Sequence, residues 1–230
     1  MNNQLTAIYE EAMKKSLLNL DGLPSNADGG PANPQLLWVP EDYAVSKLKV
    51  AYFGQETNGW EGPFAETKGV THLQKVYHEF VNVRPFQYGG QYWNGVKSFQ
   101  RAIEEINPTS RFTANNLIKI GKAWDLGSPP ESVIEWQAHW FDVIREEIKI
   151  LYPDVVIFLS GPNYDRHIKR IFGAISFEPV IGRPTRQLAR VVGKGLPRNS
   201  FRTYHPNYGY RNDFYPIRDE ILNEIKSLAC

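Results

Sequence analysis

Glu56 and His205 are the two side chains whose types and positions suit a shared hydrolytic step. LKVAYF runs into the polar GQETNGW at residues 54–60, and SFRTY runs into HPNYGYRND at residues 205–213. A carboxylate in a loop rich in Gly, Asn and Thr, where backbone approaches a ligand closely, can orient a water molecule or stabilise a developing positive charge. A histidine can donate a hydrogen bond to an oxygen that gains negative charge as a bond breaks. Short apolar runs read as buried strands of a parallel sheet, and such sheets bind ligands beyond the carboxyl ends of their strands. The two groups are therefore expected to face one crevice. Two ordinary polar turns would carry the same pattern.

Neighbouring residues extend the chemistry. Trp60 and Phe64 offer flat surfaces to an aromatic group, with plain loop packing the equal alternative. Asn116 carries a donor and an acceptor on one amide and can pair with a pyrimidine edge. Strand alternation points Asn115 to the opposite face, and one of the two asparagines can instead cap a strand end. Tyr208, Tyr210 and Arg211 follow His205 in a turn that can push into a duplex and grip phosphate. The remaining histidines show no metal-ligand spacing: His72 and His78 are six apart, and His139 and His167 stand alone.

The net charge is +1, unevenly spread. Residues 166–211 hold ten Lys/Arg, Arg183 and Arg186 among them, against the single acid Glu178, a local charge of +9; elsewhere 16 bases face 24 acids, or −8. A one-signed run adjoining the histidine cluster points to a polyanion partner, a solvated face being the plainer reading. With 42% hydrophobic and 13% aromatic residues, one domain over 1–230 is expected, residues 1–45 forming an N-terminal helix and loop extension. No apolar stretch reaches the ~18 residues of a membrane span, and MNNQLTAIYEE lacks the basic-then-apolar order of a signal peptide. The lone cysteine, Cys230, leaves no intrachain disulfide, cysteine-ligated zinc or iron–sulfur cluster. The expectation is a cytoplasmic monomer that needs no metal or cofactor.

Periodicity gives the elements that must position these residues. Residues 4–20 carry a helical stripe of Leu5, Ile8, Tyr9, Ala12 and Met13, and the Gly/Pro/Asn/Asp-rich stretch 21–35 predicts a loop. Strands are predicted at 48–53, 112–120, 155–161 and 200–204, with a weaker one at 188–192. Helices are predicted at 70–83, 93–106, 132–151, through 168–172, and from 217 to 228. Strands alternating with helices predict a three-layer α/β/α fold around a four-stranded, mainly parallel sheet. Its four polar strand exits converge on the expected site.

These segments together resemble the uracil-DNA glycosylase superfamily. GQETNGWEGPF is similar to the family's first motif, a Gly-Gln-Asp-Pro-Tyr or Gly-x-Asn-Pro-Gly loop after the first core strand. N-L-I-K, Asn116 to Lys119, is similar to the Asn-x-x-Lys strand of some bacterial branches, and HPNYGYRND to the His-Pro-Ser loop that carries the catalytic histidine and the minor-groove wedge. Their order, with VVIFLSG between the last two, fits that fold from about residue 45 onward. The resemblance implies that Glu56 stands where a water-activating Asp or Asn stands, with Gln55 beside it in the substrate loop. Phe64 or Trp60 would stack on the flipped base and Asn116 would read its Watson–Crick edge. His205 would hydrogen-bond the departing base, and Tyr208 to Arg211 would fill the hole left in the duplex. The first motif departs from the family by lacking the proline and by carrying Glu, one methylene longer. Asn58 occupies roughly the place where uracil enzymes use a Tyr to exclude groups on the base C5, so larger substituents fit the pattern. The cluster cysteines of some branches are absent.

The expected activity is that of a monofunctional DNA glycosylase, hydrolysing the N-glycosidic bond of a flipped uracil or modified pyrimidine and leaving an abasic site. A pyrimidine with a bulky C5 group, as in modified phage DNA, is a candidate beside uracil, and base-excision repair and antiviral defence are both open roles. One branch of similar plan acts in phage defence on glucosylated hydroxymethylcytosine. No lysine is placed for a Schiff base. Two rivals stand beside this reading: a non-catalytic reader of modified nucleic acid, and a hydrolase of a small nucleoside or glycoside for which the basic segment is incidental.

Overall fold

The computed structural model describes residues 1–23 and 30–226. Most of the predicted loop's centre, the end of the predicted closing helix and Cys230 lie outside the described residues. The first half of the chain forms α1 (Asn2–Leu17), β1 (Lys49–Asn58), α2 (Val70–Tyr77), α3 (Gln91–Ile106) and β2 (Arg111–Lys122). The second forms α4 (Glu131–Trp140), α5 (Ile144–Leu151), β3 (Val155–Leu159), α6 (Asp165–Phe172), β4 (Ile175–Pro179), β5 (Leu188–Gly193), β6 (Asn199–Thr203), α7 (Pro206–Gly209) and α8 (Phe214–Lys226).

The strands join in one mixed six-stranded sheet of order β2-β1-β3-β6-β5-β4. β2, β1, β3 and β6 run parallel, while β5 pairs antiparallel with β6 and β4 antiparallel with β5. The expectation of four strands is corrected to six. β4 escapes the sequence reading because it is an edge strand: Ile175 and Phe177 are only half-buried and Ser176, Glu178 and Pro179 are exposed, so no apolar run marks it.

Helices cover both faces of the sheet because its central strands are apolar on both. Val50, Tyr52, Val155, Ile157 and Phe201 pack against Val96 and Phe99 of α3 and Ile217 and Ile221 of α8. The alternate residues Ala51, Phe53, Val156 and Phe158 pack against Ile144 and Ile148 of α5 and Ile168 and Ile171 of α6. A third cluster joins α1, through Leu5 and Tyr9, to α2 and α4.

The single helix expected over 132–151 is two, α4 and α5. Phe141 leaves helical geometry between them (φ −134°, ψ 42°). Its stripe serves two cores: Phe141 and Val143 pack into the α1 cluster, whereas Ile144 and Ile148 face the sheet. No straight helix presents one stripe to both.

Candidate functional site

A cavity of about 980 Å³ opens at the carboxyl ends of β1, β2 and β6, lined by Gln55, Glu56, Asn58, Trp60, Asn116 and His205 among others. These six residues come from three separate stretches of sequence. Glu56 does not lie in a loop, as expected from its composition, but within β1, which runs five residues past Phe53. Close β1–β2 pairing makes this possible: Thr57 Oγ1 accepts from Gly121 N–H at 3.0 Å, and a Cβ on Gly121 would lie 1.7 Å from the Thr57 carbonyl oxygen. Gly54 opens the floor, since a Cβ there would fall 2.4 Å from Asn116 Oδ1 and 2.9 Å from the Tyr92 ring.

Glu56 is half-buried, and the hydroxyl of Tyr164, at the exit of β3, donates to its Oε2. Burial raises the Glu56 pKa above the ordinary carboxylate value, opposed by the Tyr164 hydrogen bond and by Lys122. Gln55 Nε2 donates to the Ser160 carbonyl at 2.7 Å, fastening β1 to the end of β3. Asn58, exposed at the rim, accepts from Gly127 N–H at 3.1 Å.

Asn115 and Asn116 point apart, as alternation requires. Asn115 turns into a buried network: its Nδ2 donates to Glu147 Oε2 at 2.7 Å, and Lys119 Nζ donates to Asn115 Oδ1 at 2.9 Å and to Glu147 Oε1 at 2.6 Å. Tyr9 of α1 donates to the same carboxylate at 2.5 Å. Burial lowers the Lys119 pKa, opposed by Glu147. Lys119 is therefore enclosed and does not reach the cavity. Asn116 faces the cavity, its Nδ2 held by Gln35 Oε1 at 3.1 Å, while its Oδ1 accepts no hydrogen bond among the described residues.

His205 caps α7, its Nδ1 accepting from Asn207 N–H at 3.2 Å. Burial lowers its pKa, so the ring is neutral near pH 7, and the occupied Nδ1 assigns the proton to Nε2. The imidazole is thus a donor at the cavity wall.

Phe64 is a correction. It is fully buried with its ring edge-on to Trp136 at 5.9 Å, and it does not line the cavity. Gly62 (φ 75°) turns the chain away before it. Trp60 does line the cavity, packed edge-on to Phe80 at 5.5 Å, with its Nε1 buried and without an acceptor among the described residues. The aromatic wall is completed by Phe80, Tyr88, Tyr92 and Trp93, with Phe80 and Tyr88 stacked at 4.2 Å. The density of aromatics between residues 77 and 93 is the sequence signal that could have found them.

Asn207 lines the cavity beside His205, but Tyr208, Tyr210 and Arg211 lie outside it. Tyr208 is exposed and packs on Tyr204, Tyr210 packs on Phe214 at 4.5 Å, and Arg211 is exposed. In the basic segment, five arginines meet acids from outside it. Arg183 is held by Glu220 and Asp213, Arg166 and Arg170 share Glu131, Arg190 pairs with Glu224, and buried Arg202 pairs with Asp165. Arg186 is exposed and makes no ion pair among the described residues; its carbonyl accepts from Arg202. Five of the segment's ten cations are thus met by acids from outside it, whereas Lys169, Arg186, Lys194, Arg198 and Arg211 make no ion pair among the described residues.

Among the described residues, no group of three or more His, Cys, Asp and Glu is arranged to hold a metal ion, and no helix is long and apolar enough to cross a membrane. Comparison with known proteins finds no matching family model and no significantly similar curated protein. The arrangement itself offers a carboxylate, a neutral imidazole N–H and an amide with a free acceptor around one aromatic-lined cavity.

Proposed function

We propose that this chain is a monofunctional DNA glycosylase of the uracil-DNA glycosylase plan, acting on a flipped pyrimidine that bears a bulky C5 group. The base must leave the stack for its glycosidic bond to be reached. As that bond breaks, the base departs with the bonding pair as an anion and the sugar becomes oxocarbenium-like. His205 Nε2–H stabilises the departing oxygen; Glu56, gripped at Oε2 by Tyr164, stabilises the sugar cation through Oε1 and orients the attacking water, whose proton it can accept. Asn116 Oδ1 and its second amide hydrogen read the base edge.

The observation that carries the reading is the convergence of these three free atoms on one cavity. The volume, near the top of the roughly 300–1,000 Å³ range of ligand sites, leaves room for a substituent on the base. Hydrolysis of a small nucleoside or glycoside is a second reading, favoured by the internal pairing of the basic segment's arginines. Incubation with duplex oligonucleotides followed by alkali separates the readings. Strand cleavage supports the glycosylase, binding without cleavage supports a non-catalytic reader, and activity on free nucleosides alone supports the small-molecule enzyme.

A further inference from the structure

Resting on the nucleic-acid reading above, we propose that a groove between α3 and α8 holds the phosphodiester backbone of the strand whose nucleotide enters the cavity. The groove, of about 500 Å³, is lined by Lys97 and Arg101 of α3, by Arg218 and Tyr215 of α8, and by Tyr210. It adjoins the cavity, because Gln91 at the start of α3 lines both.

Its α3 cations differ from the five ion-paired arginines of the basic segment, and they lie beside the cavity. Lys97 and Arg101 make no ion pair among the described residues, and their spacing of four puts them on one helix face, about 6 Å apart along the axis. Arg218 reaches across to α3, donating to Ser98 Oγ at 2.8 Å, and its guanidinium lies over the Tyr215 ring at 5.2 Å while also meeting Asp219. Tyr210 and Tyr215 lie 5.9 Å apart, and Tyr215 is 54% exposed. A cationic groove that tracks a backbone, with aromatic faces on which bases stack, is the chemistry that grips a single strand. Glu105, the acid among the lining residues, sits at the far end of α3, about 21 Å from Gln91 by helix rise, so the positive stretch is the one nearest the cavity. Sequence reading passes over it because α3 as a whole balances Lys97 and Arg101 against Glu104 and Glu105.

The test is fluorescence anisotropy with labelled single-stranded and duplex oligonucleotides of unmodified sequence, across a salt series. Lys97→Glu and Arg101→Glu are compared with Lys194→Glu and Arg198→Glu in the basic segment, and the milder Lys97→Gln/Arg101→Gln pair is included, with folding followed by circular dichroism. The groove variants are expected to weaken binding to all sequences alike, about tenfold for the paired charge reversal. Each lost contact should lower the salt slope by about 0.7 on single strands or 0.9 on duplex. The basic-segment variants should change neither quantity. Wild-type affinity and slope in the groove variants, with binding itself intact, would overturn the groove and leave the glycosylase reading standing. Absence of binding by the wild-type chain would overturn both.

Discussion

The His205 imidazole lies nearly parallel to the Tyr92 ring, with centroids 6.0 Å apart and planes 15° apart. Tyr92 also donates from its hydroxyl to the Asn115 carbonyl at 3.3 Å, and its ring edge closes over Gly54. One side chain of α3 therefore touches β1, β2 and the exit of β6, and shelters the imidazole from water.

That shelter predicts a pH effect. Burial holds the His205 pKa below its ordinary value, so the neutral donor persists as pH falls. Tyr92→Leu uncovers the ring and lets its pKa rise towards about 6.5, and protonation at Nδ1 then evicts the Asn207 N–H. Single-turnover base release in the variant should begin to fall at a higher pH than in wild type, and an NMR titration of His205 should move the same way. Coincident profiles would separate Tyr92 from His205.

Gly54→Ala places a methyl where Asn116 Oδ1 and the Tyr92 ring now stand. Both are side-chain atoms that can move aside, so the fold should survive while the Asn116 amide, proposed to read the base, is displaced. Base release is expected to fall about 10²-fold, the usual scale for a misplacement of about 1 Å. Unchanged activity with an unchanged melting temperature would argue against Asn116 as the reading group.

The Lys119–Glu147 pair is fully buried. Lys119→Met leaves a carboxylate without its cation and should lower the unfolding free energy in urea by about 3–5 kcal/mol. Adding Glu147→Leu removes the stranded charge and should recover part of the loss, the rest reflecting the acceptors lost to Tyr9 and Asn115. A double variant as unstable as the sum of the two singles would show that the groups do not act as a pair.

His167 is buried against α4, and its pKa is lowered to about 4 by burial first and then by the Arg166 and Arg170 cations. The unfolded chain binds a proton near pH 6.5 that the folded chain refuses, so this contribution is complete above that pH and is lost as pH falls from 6.5 to about 4. His167→Gln should show a shallower decline in unfolding free energy over that window. Parallel curves would assign the acid sensitivity to other groups.

That Glu56, Asn116 and His205 line one cavity was legible in the sequence because parallel strands bring their polar segments to one side of the sheet, and each of the three lies in or just after such a strand. Phe64 lies away from the cavity because Gly59, Glu61 and Gly62 all take positive φ and turn the chain before it, and hydrophobic pattern does not register such a turn. The pairing of Arg166, Arg170, Arg183 and Arg190 was not legible because Glu131, Asp213, Glu220 and Glu224 lie outside the basic segment in sequence and beside these arginines in space. The wall joins Phe80 and Tyr88, from the segment between α2 and α3, to Trp93 of α3, ring contacts that spacing alone does not encode.

The central claim is tested most directly by mass spectrometry of the bases released from a panel of DNAs, including hypermodified phage genomes, by wild-type, Glu56→Gln and His205→Ala protein. A free C5-modified pyrimidine base should appear with wild type. Its rate should fall by about two to four orders of magnitude in Glu56→Gln. It should fall comparably in His205→Ala, where one donor to the departing anion, worth about 2.7–4 kcal/mol, is lost. Release of no base from any DNA in the panel, or release at the wild-type rate by both variants, would contradict the account.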